Sequence, residues 1–471
     1  MTERLVVIGG DAAGMAAASQ ARRRRGPEDL QIVAVERGGY TSYAACGIPY
    51  WIGGVVAGPE ELVVRTPEVF ERDLAITVRL RHEATVIDLE RREVLVRATA
   101  DGTEDRLEFD SLVIATGALP VGLRVPGADA AGIHGVQTLD DGVAVRAAVA
   151  AGARRAVVIG GGYIGVEMAE AMVRQRLDVI LVEQAPEPMA TLDPDMGRLV
   201  REALTGMGIR VRSGERVVGF DTADGRVTGV RTDNGSVPAD LVVLGIGVRP
   251  NTALAAAAGL PLGVAGALRV DVRGQVLGTP GVWAAGDCAE SFDLVSRRPV
   301  HVPLGTHANK QGRVVGVNLG GGYATFPGVV RTAVSKVCDL EIARTGLLER
   351  DARDSGLRYV TATVASTTRA GYFPGAKPIT TKLIAEKRTG RLLGAQIVGK
   401  EGAAKRIDAL AVALWNGMTV EEMTGLDLSY APPFAPVWDP ILIAARKTAE
   451  AVEASSRDRA GLGTGGLPAR T

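Results

Sequence analysis

Gly160, Gly162 and Gly165 follow the apolar run Ala156-Val157-Val158-Ile159, and they open an Ala/Met/Glu-rich stretch. In a strand–turn–helix unit the first glycine of such a triplet permits the tight turn, the second lets a pyrophosphate approach the backbone, and the third lets helix pack on strand. The helix start then turns amide donors and its positive dipole end towards the phosphates. Glu183 closes the next apolar run, Val179-Ile180-Leu181-Val182, where a carboxylate accepts hydrogen bonds from ribose hydroxyls. That carboxylate repels a 2′-phosphate and Gln184 brings no compensating charge, so the spacing predicts a nicotinamide dinucleotide site that favours NADH over NADPH.

The same pattern appears earlier, less regularly. Leu5-Val6-Val7-Ile8 leads into Gly9, Gly10, Asp11, Ala12, Ala13 and Gly14, with Asp11 where a middle glycine belongs, and Glu36 ends the following run Ile32–Val35. Two such echoes predict two βαβ units and two parallel-sheet folds. Further apolar strands end in loops of ligand-binding composition: Ser111–Ala115 before Thr116-Gly117, Leu241–Leu244 before Gly245-Ile246-Gly247, and Val282–Ala284 before Gly286-Asp287. Beyond about residue 325 alternating strands such as Tyr359–Val364 and Ile379–Ala385, then the helical stretch Ala403–Trp415, predict a separate α+β domain. The tail 447–471, rich in Ala, Arg, Gly and Ser, is expected to be disordered.

Bulk properties exclude several classes. At 471 residues with 46% hydrophobic residues the chain can form two or three cores. Lys plus Arg equal Asp plus Glu at 54 each, so charge gives no argument for nucleic acid or a membrane surface as partner. No apolar run approaches a membrane span and no signal-like segment opens the chain, so a cytoplasmic location is expected. The three cysteines, Cys46, Cys288 and Cys338, form no CxxC pair, so neither a disulfide framework nor a metal site is indicated. Cys288 and Cys338 read as small buried hydrophobes.

The run Thr279-Pro280-Gly281-Val282-Trp283-Ala284-Ala285-Gly286-Asp287 resembles the second FAD motif of flavoproteins with two dinucleotide folds. With the glycine motifs, Thr116-Gly117 and Gly247-Val248-Arg249-Pro250-Asn251 in this order, residues 3–445 resemble the pyridine nucleotide–disulfide oxidoreductase family. The resemblance implies an α/β chain of two Rossmann-like domains plus a C-terminal α+β dimerisation domain. Its expected boundaries are 1–120 and 248–324 for FAD, 121–247 for the nicotinamide nucleotide, and 325–446 for dimerisation. It implies that FAD is held by Gly9, Gly10, Asp11, Ala12, Gly14, Glu36, Arg37, Thr116, Gly117, Gly286, Asp287, Pro303 and Leu304. It also implies that Gly160, Gly162, Tyr163, Ile164, Gly165, Glu167, Glu183 and Gly247 serve the nicotinamide nucleotide. Within the family an aromatic residue at the Tyr163 position covers the nicotinamide pocket, and a glutamate at the Glu167 position orients the carboxamide.

Sulfur then distinguishes the branch. Ser42-Tyr43-Ala44-Ala45-Cys46-Gly47-Ile48-Pro49-Tyr50 carries one cysteine where other branches have two, and Tyr430-Ala431-Pro432-Pro433 replaces a His-Pro. With Tyr372-Phe373-Pro374-Gly375, these runs are similar to the single-cysteine branch of coenzyme A disulfide reductases and NADH oxidases or peroxidases. The resemblance implies a homodimer in which electrons pass from NADH through FAD to Cys46. Cys46, its pKa lowered at a helix N-terminus, forms a mixed disulfide with CoA, and the partner subunit's Tyr372 and the partner subunit's Tyr430 protonate or orient the leaving thiolate. Gln20, Arg23 and Ser42 match substrate-contacting positions, whereas Ala45, Asn309 and Trp438 depart from the pattern. CoA disulfide is the expected substrate and CoA persulfide a near relative. The rival readings are an oxidase or peroxidase cycling Cys46 through a sulfenic acid, and a redox-sensing module holding FAD and NAD(H).

Overall fold

The computed structural model describes residues 2–462. The run Leu5–Ile8 becomes the inner part of strand Glu3–Ile8, which pairs in parallel with Leu30–Glu36 on one side and Ser111–Ile114 on the other. Val282–Ala284 and Ile76–Leu80 complete a five-stranded parallel sheet at its two edges. Helix Ala12–Arg22 makes the first crossover. Strand order reverses at Glu3–Ile8, and the crevice that ligands enter in open parallel sheets lies at the carboxyl end of such a strand.

Arg155–Ile159 occupies the equivalent place in a second five-stranded parallel sheet, between Asp178–Glu183 and Leu241–Leu244, with Arg210–Ser213 and Ile133–Gly135 outside them. Both central strands are nearly continuous apolar runs because both faces are covered. Each fold also carries a three-stranded antiparallel meander, built from His82–Asp88, Glu93–Ala98 and Glu104–Glu108 in the first and from Val217–Ala223, Arg226–Thr232 and Gly235–Pro238 in the second. Most of these strands are interrupted by charged or exposed residues, as in Glu104–Glu108 and Arg226–Thr232, and apolar periodicity alone does not reveal them.

Where the chain leaves the first fold and returns, Ala118–Pro120 pairs antiparallel with Val248–Pro250. Thr116 Oγ1 donates to the Asn251 carbonyl at 2.6 Å and Asn251 Nδ2 to the Thr116 carbonyl at 3.2 Å, so the two crossings lock each other. The C-terminal unit is a five-stranded antiparallel sheet ordered Ala333–Val337, Leu340–Gly346, Leu392–Gly399, Pro378–Glu386 and Tyr359–Thr367, with helices including Ile407–Trp415. The architecture is α/β, with two Rossmann-type folds and a C-terminal α+β unit.

The expected disorder from residue 447 is corrected for its first part, because helix Pro440–Leu462 runs through that boundary unbroken. Its residues after Lys447 include helix formers, Thr448 is fully buried, and Val452 packs against the core of the C-terminal unit. Residues 463–471 lie outside the described residues. No helix among the described residues is long and apolar enough to cross a membrane.

Candidate active site

The two glycine turns are built alike. A Cβ on Gly9 would fall 2.0 Å from the Ala115 carbonyl oxygen and one on Gly160 2.5 Å from that of Gly245, and both residues have positive φ, 111° and 94°. A Cβ on Gly14 would lie 2.0 Å from the Gly9 oxygen and one on Gly165 1.8 Å from the Gly160 oxygen, so only glycine lets helix settle on strand there. Gly162 differs: a Cβ would meet nothing nearer than the Gly245 oxygen at 3.9 Å, which leaves the crevice side open beside the free amides of Tyr163 and Ile164 at the helix start. Open space also adjoins Gly117 and Gly247. Glu36 accepts the Gly10 and Gly38 amides at 2.8 and 2.6 Å, and Glu183 the Gly161 and Ala185 amides at 2.5 and 2.7 Å. Each carboxylate is thus braced by backbone at the end of the second strand, with acceptor capacity left for ribose hydroxyls. Both cradles fit a dinucleotide.

Asp11 stands in the first cradle at φ −114° as the N-cap of helix Ala12–Arg22. Its Oδ1 accepts the Tyr43 amide at 3.2 Å instead of capping its own helix. Burial, followed among the raising causes by the charges of Glu36 and Asp287, pushes its carboxyl up to about 6. Arg37, expected at the cofactor, lies 3.7 Å from Glu83 in an exposed ion pair.

The loop carrying Cys46 is tied to this first turn. Thr41 Oγ1 donates to the Gly10 carbonyl, and the Ser42 amide donates to the same oxygen at 3.1 Å, with Ser42 held at φ 48°. Cys46 follows in a single turn, Ala45–Gly47, that leads into helix Ile48–Ile52. Ile48, Trp51 and Ile52 are buried in one continuous apolar core with Met168 and Met172 of helix Tyr163–Arg174, a core that extends to Val337, Ile342 and Val398 of the C-terminal sheet. At about 1.5–3 kcal/mol for each such side chain, this packing makes a rigid elbow where the three units meet.

Cys46 is exposed as a residue, while the protein around its thiol pushes the pKa up, by burial first, then by the charges of Glu167 and Asp287, with Asp11 a smaller contributor. This corrects the expected lowering. The helix after Cys46 has only five residues and starts beyond it, so its dipole does not outweigh burial and three carboxylates. Those carboxylates belong to the first glycine motif, to the Gly-Asp element and to the second-fold helix, so the thiol sits between the two cradles. Cys288 is fully buried, its Sγ 3.3 Å from the Ile114 carbonyl. Cys338 is half-buried at the turn between Ala333–Val337 and Leu340–Gly346 with φ 58°, where a buried hydrophobe was expected.

Gly286, at φ 81°, donates its amide to Gln311 Oε1 at 2.8 Å, and the next carbonyl, of Asp287, lies 2.8 Å from His301 Nε2. Burial raises the Asp287 carboxyl, against the opposing charge of His301. Pro303 and Leu304 lead into helix Gly305–Leu319, which meets helix Ala12–Arg22 so closely that a Cβ on Gly312 would lie 2.3 Å from the Ala13 oxygen. His307 is half-buried with Nδ1 unpartnered, and burial lowers its pKa. Glu167 accepts Ser335 Oγ at 2.8 Å and is raised by burial. The Tyr163 hydroxyl is buried without a hydrogen-bond partner.

Gln20 and Arg23 stand at the C-terminal end of helix Ala12–Arg22, whose length is about 15 Å at 1.5 Å per residue, whereas Ser42 is tied to Gly10 just ahead of its start. Tyr372 and Tyr430 are both exposed on the C-terminal unit, with hydroxyls paired so that Tyr372 raises the Tyr430 phenol. Neither tyrosine is among the main groups acting on Cys46 in its own chain. Thr41, Tyr43, Ser335 and Gln311 went unread in the sequence, since each acts on a residue distant along the chain and no motif spacing marks it.

The family model described as pyridine nucleotide-disulphide oxidoreductase matches residues 3–312, and that of its dimerisation domain matches residues 332–440. The chain is 38% identical over 95% of its length to a protein of Pyrococcus horikoshii named NAD(P)H coenzyme A polysulfide/persulfide reductase, covering 98% of that relative. It is 36% identical over 94% of its length to a Methanocaldococcus jannaschii protein named NADH oxidase, covering 98% of it. The solved structure of an NAD-dependent persulfide reductase from A. fulgidus superimposes with a TM-score of 0.91 at 39% identity, over 98% of this chain and 84% of that one. With both glycine cradles and the C-terminal sheet in place, the chain belongs to the pyridine nucleotide–disulphide oxidoreductase family, FAD-dependent oxidoreductases that work with NAD(P)H.

Proposed function

We propose that this enzyme uses NADH to reduce a small disulfide or persulfide carried on coenzyme A, with Cys46 as its redox-active thiol. One observation carries the reading: an exposed cysteine stands in the electrostatic field of carboxylates from both nucleotide folds, and its loop is tied to the first glycine turn. FAD, when bound, supplies the two-electron link between NADH and sulfur. Segments 1–120 and 248–324 hold it, 121–247 holds NADH and 325–446 pairs two subunits.

The thiolate of Cys46 attacks one sulfur of the substrate, the substrate S–S bond breaks, and a Cys46–S–S–R bond forms as RS⁻ leaves. Two electrons then break the mixed disulfide, restore the Cys46 thiolate and release the second thiol on protonation. Cys288 is buried in packing and no other cysteine lies in the Cys46 loop, so the protein itself supplies no resolving thiol there. The partner subunit's Tyr372 and the partner subunit's Tyr430 serve as neutral donors to the leaving thiolate. The span from Ser42 to Gln20 and Arg23 suits a long carrier such as CoA, with Arg23 available to a phosphate.

The relative named NADH oxidase favours a second reading, in which Cys46 cycles through a sulfenic acid. Steady-state NADH oxidation separates the two. Under anaerobic conditions CoA disulfide or CoA persulfide sustains turnover, and Cys46→Ser abolishes it while flavin reduction by NADH persists. Fast turnover with oxygen alone, unchanged by either sulfur acceptor, refutes the proposal.

A further inference from the structure

The C-terminal sheet carries a row of polar residues where its neighbours are apolar. Register places Arg344 opposite Gln396, Gln396 opposite Lys382, and Lys382 opposite Thr363, so the four side chains cross four strands on one face. Gln396 is fully buried, Lys382 is 3% exposed and Arg344 8%. Buried polar groups need partners, and Arg344, Gln396 and Lys382, together with the exposed Thr363 at the end of the row, each contact one short stretch of the second nucleotide fold.

Arg344 Nη1 donates to the Thr191 carbonyl at 3.3 Å. Gln396 makes a two-way pair with Asp193, accepting its amide at 2.7 Å and donating Nε2 to its Oδ2 at 2.6 Å. Lys382 Nζ lies 3.2 Å from Asp193, 2.7 Å from Asp195 and 2.5 Å from Glu349. Thr363 Oγ1 completes the row with a 3.4 Å contact to Asp195. Asp193, Asp195 and Glu349 cluster closely enough to share one cation, and the Lys382 ammonium is the cation present.

The gripped residues end the loop that starts beside Glu183. At its upstream end the Ala185 amide donates to Glu183, and the Met189 amide donates to the Gly161 carbonyl at 2.7 Å inside the glycine turn. At its downstream end Asp193 stands at the N-cap position of helix Pro194–Gly206, makes no side-chain capping bond there, and turns its carboxylate to the polar row. Between these anchors, residues 185–190 and 192–194 line a cavity of about 280 Å³ with Glu349, Arg350 and Arg353 as its far wall. The loop that flanks the ribose acceptor is therefore held at both ends, by its own glycine turn and by a different unit of the chain.

We infer that Arg344, Gln396, Lys382 and Thr363 are positioning residues for NADH, clamping the 185–195 loop so that Glu183 and the adjoining wall are preset for the adenosine half of the nucleotide. This rests on reading Glu183 as the ribose acceptor. Preorganisation of this kind acts on affinity and leaves the hydride-transfer geometry at the far end of the nucleotide alone.

The test uses the full-length, FAD-loaded enzyme and measures anaerobic reduction of the bound flavin across NADH concentrations. Asp195→Asn is expected to raise the Kd for NADH by about tenfold, the loss of one charge-assisted contact, and Lys382→Met, which removes contacts to Asp193, Asp195 and Glu349, by at least as much. The limiting reduction rate and the KM for the sulfur acceptor are expected to stay within about a factor of two of wild type. A wild-type Kd in either variant overturns the inference, as does a parallel fall in limiting rate and rise in acceptor KM, which marks general loosening of the fold. Should Lys382→Met fail to fold, Asp195→Asn and the exposed-side Thr363→Val decide by the same criteria. Glu183→Ala is measured alongside. An unchanged Kd there sinks the ribose reading itself, whereas a raised Kd there with an unchanged one in Asp195→Asn sinks only the clamp.

Discussion

Asp11 occupies the place where the first glycine motif ordinarily brings backbone to phosphate, and its cost is open to measurement. Burial and two neighbouring carboxylates move it from 3.8 to about 6, which corresponds to about 3 kcal/mol of penalty on the ionised form at roughly 1.4 kcal/mol per pH unit. The folded state holds this proton more tightly than the unfolded state does. The penalty is therefore fully present above about pH 6, shrinks as pH falls through 6, and vanishes below about 4, where both states are protonated. Asp11→Asn removes the charge and keeps an oxygen for the Tyr43 amide at 3.2 Å. That bond weakens by about 1 kcal/mol when its acceptor becomes neutral, which leaves a net gain of about 1–2 kcal/mol near neutral pH. The assay is thermal unfolding of the FAD-free protein between pH 4 and 8. Sign and pH dependence are the readouts, because a chain of several domains does not unfold in one step. The variant is expected to melt higher than wild type at pH 7–8 and together with it near pH 4. A difference independent of pH, or a variant less stable at pH 7, refutes the reasoning.

Gly165→Ala places a Cβ 1.8 Å from the Gly160 oxygen and is expected to lower the melting temperature and abolish flavin reduction by NADH, whereas Gly162→Ala, with nothing nearer than 3.9 Å, keeps a wild-type melt and loses only NADH affinity. Equal melts for the two variants would mean that the turn is not packed as described. Glu183→Arg removes the carboxylate that takes the Gly161 and Ala185 amides and puts a cation beside the ribose site. The ratio of kcat/KM for NADPH over NADH is expected to rise by at least about tenfold, and an unmoved ratio places the ribose elsewhere.

The two dinucleotide folds were legible from the residues because their chemistry is local. A glycine triplet between a β-branched run and a helix, closed by Glu36 or Glu183, has few other uses, and the same close approaches recur at Gly14 and Gly165. The meanders escaped notice because strands such as Glu104–Glu108 are charged and exposed, with no apolar period to read. The segment after Lys447 was misjudged from composition, which does not register that Thr448 and Val452 find a sheet to pack on. The acidity of Cys46 was misjudged for a related reason. A thiol's pKa is set by what surrounds it, and Glu167, Asp287 and Asp11 come from three distant stretches of chain.

Sequence alone determined the pair of nucleotide cradles, the carboxylate that ends the second strand of each and the lone thiol, since each depends on residues within one strand–turn–helix or one loop. Tertiary structure decided where that thiol lies between the cradles, what field it feels, and that Lys382 and Gln396 of the last unit grip the loop beside Glu183. Charges and buried hydrogen bonds act through space, and only the folded chain sets the distances over which they act.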